Sequence, residues 1–216
     1  MNRFKGAIFD VDGTLLDSMP MWDSIAADYL RSKGKTPRDG LNDELIQLGG
    51  HEIPEYFQSE YGVSDSVEDI MSALNGMLED FYSNTAPLKD GVLEVLKTLH
   101  FHGVKMCVAT ATDKWLVEPA LKRCGILDYF GRIFTCGEEK TSKSSPEIYV
   151  RAAAFLGTAV SETLVFEDAL YAIESAKKAG FPVAAVYDHS AEELQDKIKG
   201  ICDYYYTSLN DFSLRL

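Results

Sequence analysis

From Pro87 onward, short apolar runs alternate with helical periodicities, and this alternation restricts the fold more than any other feature of the chain. Val92, Val95, Leu96 and Leu99 mark a helix closed by Gly103, and residues 104–109 follow as a strand. Leu116, Ala120, Leu121 and Cys124 mark the next helix, and 132–135 reads as a short strand. A helix over 146–156, a strand over 164–166, a helix over 169–179 closed by Gly180, and a strand over 183–186 continue the series. Ala7-Ile8-Phe9 supplies one more apolar strand near the N-terminus, and Tyr204-Tyr205-Tyr206 reads as sheet-edge structure. Strands that alternate with helices predict an α/β fold: a Rossmann-like, doubly wound parallel sheet with helices on both faces.

One stretch breaks the pattern. Trp22, Ile25, Ala26, Tyr29 and Leu30 fall at i, i+3, i+4, i+7 and i+8, the spacing of an amphipathic helix, and Gly34 ends it. Residues 41–48 and 53–61 read as shorter helices, and Ile70, Leu74, Met77, Leu78 and Phe81 give another helical face. Residues 18–85 contain no strand candidate. The expected organisation is a discontinuous α/β core, 1–17 with 86–216, interrupted after its first strand by an all-helical domain over 18–85. The segments near 17 and 86 are the expected hinges.

Bulk properties narrow the function. The 216 residues carry a formal net charge of −13, which argues against nucleic acid or an anionic membrane as partner. No apolar run approaches bilayer length. Arg3 and Lys5 are followed at once by the first strand rather than by a leader-like apolar segment, so a cytoplasmic protein is expected. Cys107, Cys124, Cys136 and Cys202 are widely spaced, which suits reduced thiols rather than a zinc or redox motif. No extra interface element is evident, and a monomer is expected.

The first strand runs directly into Asp10-Val11-Asp12-Gly13-Thr14. Two carboxylates two residues apart at a strand end crowd negative charge, which a divalent metal held by oxygen ligands relieves; that metal in turn attracts phosphate. The plainer reading is an ordinary turn. A calcium loop fails on register: with Asp10 first, Leu15 takes the place of the required Gly, and with Ile8 first, Met19 takes the place of the bidentate Glu. No phosphate-cradling Gly-x-x-x-x-Gly-Lys-Ser/Thr string occurs.

In open parallel sheets, sites form beyond the carboxyl ends of the strands. Three such ends carry chemistry: Asp10-Val11-Asp12, Thr110-Ala111-Thr112 and Glu167-Asp168. Lys143 lies in a polar loop before the helix opened by Ser145-Pro146-Glu147. Singly, each is explained by a turn, a cap, a helix charge or a solvated lysine; their order and placement together are far more specific.

With these strings the chain resembles the haloacid dehalogenase-like superfamily, in the branch of β-phosphoglucomutases and small-molecule phosphatases. The matching stretches are Phe9 to Ser18, Val108 to Thr112, Lys143-x-x-Pro146-Glu147-Ile148-Tyr149, and Val165 to Asp168 continuing to Ala179-Gly180. The helical insertion resembles that family's cap domain. The resemblance implies Asp10 as a nucleophile that forms an aspartyl-phosphate, and Asp12 as general acid and then base. It implies Mg²⁺ held by Asp10, the backbone carbonyl of Asp12 and Asp168, with Glu167 a ligand or one shell out. Thr110 and Lys143 would hold the phosphoryl oxygens. Gly13, Ala111, Lys114 and His51 complete the implied phosphate- or substrate-binding set. Ser144, Ala169 and Ala172 depart from common family choices, and none of them removes a charge or a nucleophile.

The expected function is therefore a Mg²⁺-dependent phosphatase for a small phosphorylated metabolite, such as a sugar phosphate. Dehalogenation is disfavoured because a halide leaves without a proton, and Asp12 is present. A β-phosphoglucomutase-like mutase is the second reading. It must grip a second phosphate, and here His51 stands near where relatives carry arginine, and Asp113 where lysine is favoured. His51 reads first as an exposed helix-start residue and second as a substrate contact. A non-catalytic interaction module would have lost Asp10, Asp12 or Lys143, and all three are present.

Overall fold

The computed structural model describes residues 4–46, 48 and 52–213 and joins six short strands into one parallel sheet. The strands are β1 (Gly6–Phe9), β2 (Lys105–Thr110), β3 (Ile133–Thr135), β4 (Thr163–Glu167), β5 (Val183–Val186) and β6 (Tyr204–Tyr206), ordered β3-β2-β1-β4-β5-β6. The α/β, doubly wound class expected from the alternation is the one found. β1 lies centrally with all four residues buried, as an apolar strand covered on both faces must. β6 closes one edge, pairing Ala185 with Tyr205, and its three tyrosines are only partly buried.

Register sets the geometry of everything that follows. Phe9 pairs with Val108 on one side and with Phe166 on the other, and the Asp10 amide donates to the Phe166 carbonyl at 3.0 Å. One residue further along, Asp10 is therefore level with Glu167, the last residue of β4. The order reverses around β1, so Asp10 occupies the switch point where open α/β sheets place their ligands.

The chain divides into two compact units, Met1–Ser18 with Ala86–Leu216, and Met19–Thr85. In the first, helices α5 (Val92–Phe101), α6 (Lys114–Arg123), α7 (Cys136–Glu139), α8 (Glu147–Leu156), α9 (Leu170–Lys178) and α10 (Gln195–Ile201) accompany the sheet. α8 buries Ile148, Tyr149, Ala152, Ala153 and Leu156 along one face, in a core with Ile8, Cys107, Ala109 and Val165. Each large apolar side chain buried in this way contributes about 1.5–3 kcal/mol. The start of β1 is closely packed against the segment that follows α8: a Cβ on Gly6 would meet Thr158 Oγ1 at 2.6 Å.

The segments leaving and rejoining this unit are tied to each other. Leu16 bridges Leu88 in antiparallel fashion, the Asp17 amide donates to the Pro87 carbonyl at 3.0 Å, and the Lys89 amide donates to the Leu15 carbonyl at 3.0 Å. The Lys89 ammonium also reaches the Tyr187 carbonyl at 2.7 Å and the Asp188 carboxylate at 2.6 Å, just past β5.

The second unit contains α1 (Met19–Ser32), α2 (Leu41–Ile46), α3 (Ile53–Tyr61) and α4 (Val67–Asp80), and no strand among its described residues. Ile25, Ala26, Tyr29 and Leu30 form the buried face of α1, and Tyr29 stacks on Phe57 of α3 with centroids 5.6 Å apart. The Trp22 indole donates to the Tyr82 hydroxyl at 2.9 Å. Ser66 caps α4, accepting from the Asp69 amide at 3.1 Å. Gly62, at φ 60°, closes α3 in the left-handed conformation that a Cβ disfavours.

Several boundaries differ from the sequence expectation. The α4 face was expected to run through Phe81, but α4 ends at Asp80 and Phe81–Thr85 forms a wider π turn. Of the helix expected over 41–48, α2 covers Leu41–Ile46, Leu48 is not helical, and residue 47 lies outside the described residues. The periodicity gave no sign of α7 or α10, which are four and seven residues long and too short to establish a repeat. No helix among the described residues is long and apolar enough to cross a membrane.

Candidate active site

Three strand ends and one loop build the site, all within the first unit. After β1 the chain turns sharply: the amides of Leu15 and Leu16 both donate to the Val11 carbonyl at 2.8 Å, and Gly13 adopts φ 79°. A Cβ at Gly13 would lie 2.4 Å from Asp168 Oδ2, so this position combines a left-handed backbone with close approach to a carboxylate. Thr14 Oγ1 donates to Asp168 Oδ1 at 3.2 Å, fixing the β1 turn to the end of β4.

Asp12 is held by two hydroxyls from separate segments. Ser18 Oγ donates to Oδ1 and Thr112 Oγ1 to Oδ2, each at 2.6 Å. Thr110, the last residue of β2, is fully buried and its Oγ1 accepts from the Thr112 amide at 3.1 Å. A hydroxyl that accepts in this way keeps its own proton for donation.

Lys143 arrives by way of α7. The Thr135 hydroxyl caps that helix by accepting from the Glu138 amide at 3.2 Å, and Lys140, at φ 52°, closes it in the left-handed region. The chain then returns so that the Lys143 ammonium, buried at 4 % exposure, forms ion pairs with both Asp10 Oδ1 and Glu167 Oε1. The Tyr149 hydroxyl, from the buried face of α8, donates to the same Glu167 Oε1 at 2.8 Å.

The charge balance of this cluster is unusual. Burial pushes the Asp10 carboxyl well above its ordinary range; Lys143 opposes the shift, and Glu167, Asp168 and Asp12 add to it. Burial likewise raises Asp168 to about 7, with Glu167 and Asp188 adding repulsion and Lys143 and the Thr14 hydroxyl opposing. Burial works against the Lys143 ammonium, but Asp10 and Glu167 outweigh it and hold its proton above the usual lysine value. One buried ammonium thus faces three buried carboxylates. A bound cation would offset this excess of acid over base.

Asp10, Glu167 and Asp168 each offer an oxygen, and these atoms lie within 4.8 Å of one another. Glu167 Oε2 is buried without any hydrogen-bond partner. An unpartnered carboxylate oxygen in an all-oxygen donor set suits a hard divalent cation such as Mg²⁺. The residues present fit that group.

The other implied site residues are placed less centrally. Gly13 is in the cluster, whereas Ala111 and Lys114 are exposed, Lys114 as the first residue of α6. His51 lies outside the described residues. Ala169 is the N-cap residue before α9 and gives it no side-chain hydrogen bond, and the Ala172 methyl is fully buried. Sequence reasoning gave no role to Thr14, Ser18, Thr112 or Tyr149. For Tyr149 a signal existed, since a tyrosine on the buried face of a helix must find a partner for its hydroxyl.

Strand order and an acidic cluster at the switch point define an α/β protein with a candidate metal centre. Residues 7–186 match the haloacid dehalogenase-like hydrolase family, and the chain belongs to it. Among its relatives is a phosphorylated carbohydrates phosphatase of Thermotoga maritima, 26% identical, with 82% of each chain covered. The mitochondrial (DL)-glycerol-3-phosphatase 1 of Arabidopsis thaliana is 30% identical over 95% of this chain and 70% of its own. In fold the chain is similar to CbbY from Rhodobacter sphaeroides, solved in complex with phosphate, with a TM-score of 0.78 at 21% identity, covering 99% of this chain and all of that one.

Proposed function

We propose that this protein is a Mg²⁺-dependent phosphatase acting on a small phosphomonoester, such as a sugar phosphate, through an aspartyl-phosphate on Asp10. The observation that carries the reading is the buried Lys143 ammonium joined to both Asp10 and Glu167 at the switch point of the sheet. Relatives named as phosphatases of phosphorylated carbohydrates and of glycerol phosphate support the substrate class.

In this mechanism a carboxylate oxygen of Asp10 attacks phosphorus as the bond to the leaving oxygen breaks. Asp12, oriented by Ser18 and Thr112, delivers a proton to that oxygen, and then takes one from the water that hydrolyses the acyl phosphate. Thr110 donates its hydroxyl to a phosphoryl oxygen, and Lys143 supplies a fixed positive charge beside the nucleophile. Asp10, Asp168, the Asp12 carbonyl and Glu167 are the proposed holders of Mg²⁺, which when bound screens the Asp10 carboxylate from the phosphate. Gly13 keeps the Asp168 carboxylate close to the β1 turn. The Met19–Thr85 unit, placed in the chain where the family's cap is inserted, is assigned the selection of the non-phosphate part of the substrate.

The test is a phosphate-release screen over sugar phosphates, glycerol phosphates and nucleotides with Mg²⁺, using Asp10→Asn as control. Release from one compound class, lost in the variant, supports the reading. Isomerised sugar phosphate with little free phosphate, in the presence of a trace of bisphosphate, replaces it with a mutase. Silence across the panel sinks it.

A further inference from the structure

We propose that Tyr149 is a positioning residue for the divalent-cation site, aiming the Glu167 carboxylate so that Oε2 faces the cation. The inference rests on the metal-dependent reading above. Glu167 is completely buried at the end of β4, and two donors from different elements converge on its Oε1: the Lys143 ammonium from the loop before α8, and the Tyr149 hydroxyl from α8 itself. Oε1 thereby uses its two acceptor sites, and Oε2 has no partner.

The two donors do different work. Lys143 is a compact point charge on a flexible stem and is shared with Asp10, so it neutralises Glu167 without fixing the plane of the carboxylate. Tyr149 is rigid and fully buried, with its ring edge-on to Phe181 at 6.2 Å between centroids. Its hydroxyl carries a single proton on an oxygen that the packed ring holds 2.8 Å from Oε1, and that placement selects which oxygen of Glu167 is occupied. Without the hydroxyl, Oε1 and Oε2 become interchangeable toward Lys143 and the preset acceptor is lost. Removing such an outer partner of a metal-holding group typically weakens metal binding about 10–100-fold.

The experiment is a calorimetric titration of the whole chain with Mg²⁺, without substrate, for the wild type, Tyr149→Phe and Phe181→Leu. Tyr149→Phe deletes one hydroxyl and keeps the ring; Phe181→Leu loosens the same packing without touching a donor. The expected result is an apparent Mg²⁺ Kd raised about 10–100-fold in Tyr149→Phe and unchanged in Phe181→Leu. Melting in EDTA should show the loss of stability in Phe181→Leu instead. Equal weakening in both variants would assign Tyr149 to packing alone and overturn the proposal, as would an unchanged Kd in Tyr149→Phe or a wild type that binds no Mg²⁺. A wild type that binds Mg²⁺ but releases phosphate from no substrate would sink the phosphatase reading while leaving the Tyr149 inference standing. Normal turnover with an unchanged Kd in Tyr149→Phe would do the reverse.

Discussion

Replacing Gly13 with alanine tests the closest approach in the site. A Cβ there lies 2.4 Å from Asp168 Oδ2 and 2.8 Å from its Cγ, so the carboxylate must retreat by about 1 Å to reach ordinary contact. Three contributions to stability follow. An L-residue at φ 79° costs about 1–2 kcal/mol. Losing the Thr14–Asp168 hydrogen bond costs about 1 kcal/mol more. The stiffer unfolded chain returns about 0.4–1 kcal/mol. The net is a loss of about 2 kcal/mol, or roughly 4–8 °C in Tm for a chain of this size. Turnover should fall much further, by about 100-fold, because a displacement near 1 Å misaligns the group proposed to hold the metal. The assay is thermal melting in EDTA together with Mg²⁺-dependent phosphate release. Gly76→Ala is the matched control. Gly76 sits exposed within α4 with nothing within 4 Å of a Cβ, so alanine should stabilise by about 0.5–1 kcal/mol. A Gly13→Ala variant that melts and turns over like the wild type would refute the geometry of the β1 turn.

Three further outcomes are expected. Burial alone would raise the Asp188 carboxyl, but hydrogen bonds from Lys89 and from the Ser190 hydroxyl and amide hold it below the ordinary range. A depressed folded pKa gives stability that is present above about pH 4 and is lost as pH falls through the folded value. Asp188→Asn should therefore cost about 1.5–3 kcal/mol at pH 7, with the gap narrowing in acid; a pH-independent difference in denaturant melts would contradict this. Ser66→Ala removes the cap of α4 and should cost about 1 kcal/mol, read from the same melts. The Cys107 thiol, buried within β2 and pushed up to about 12 by burial, should resist thiol reagents in the native protein and react once unfolded.

What could be read from the sequence follows from how local the signal is. β1, β2, β4 and β5 are apolar runs bounded by turn residues, and the acids that end β1 and β4 are visible because they interrupt those runs. That Asp10 and Glu167 are neighbours depends on the pairing of Phe9 with Phe166, a contact between residues far apart in sequence that no periodicity encodes. Lys143 could be singled out by its place before Pro146, but its route to Asp10 runs through α7, which is four residues long. Tyr149 reads as one more core aromatic until its hydroxyl is traced to Glu167. The π turn at Phe81–Thr85 differs from a helical end by a single hydrogen-bond register, below what side-chain spacing resolves.

The pairing of Leu16 with Leu88 has a consequence for how such a protein can change over time. Because the two crossings are pinned together, everything from Met19 to Thr85 is, from the sheet's side, a loop whose ends are already closed. Doubling the length of a closed loop costs only about 0.6 kcal/mol, so the sheet is nearly indifferent to what is spliced between those ends. The core unit and the inserted helices can therefore diverge at separate rates, and an insert grafted from a relative at the Ser18 and Ala86 junctions should leave the Asp10–Lys143–Glu167 cluster standing.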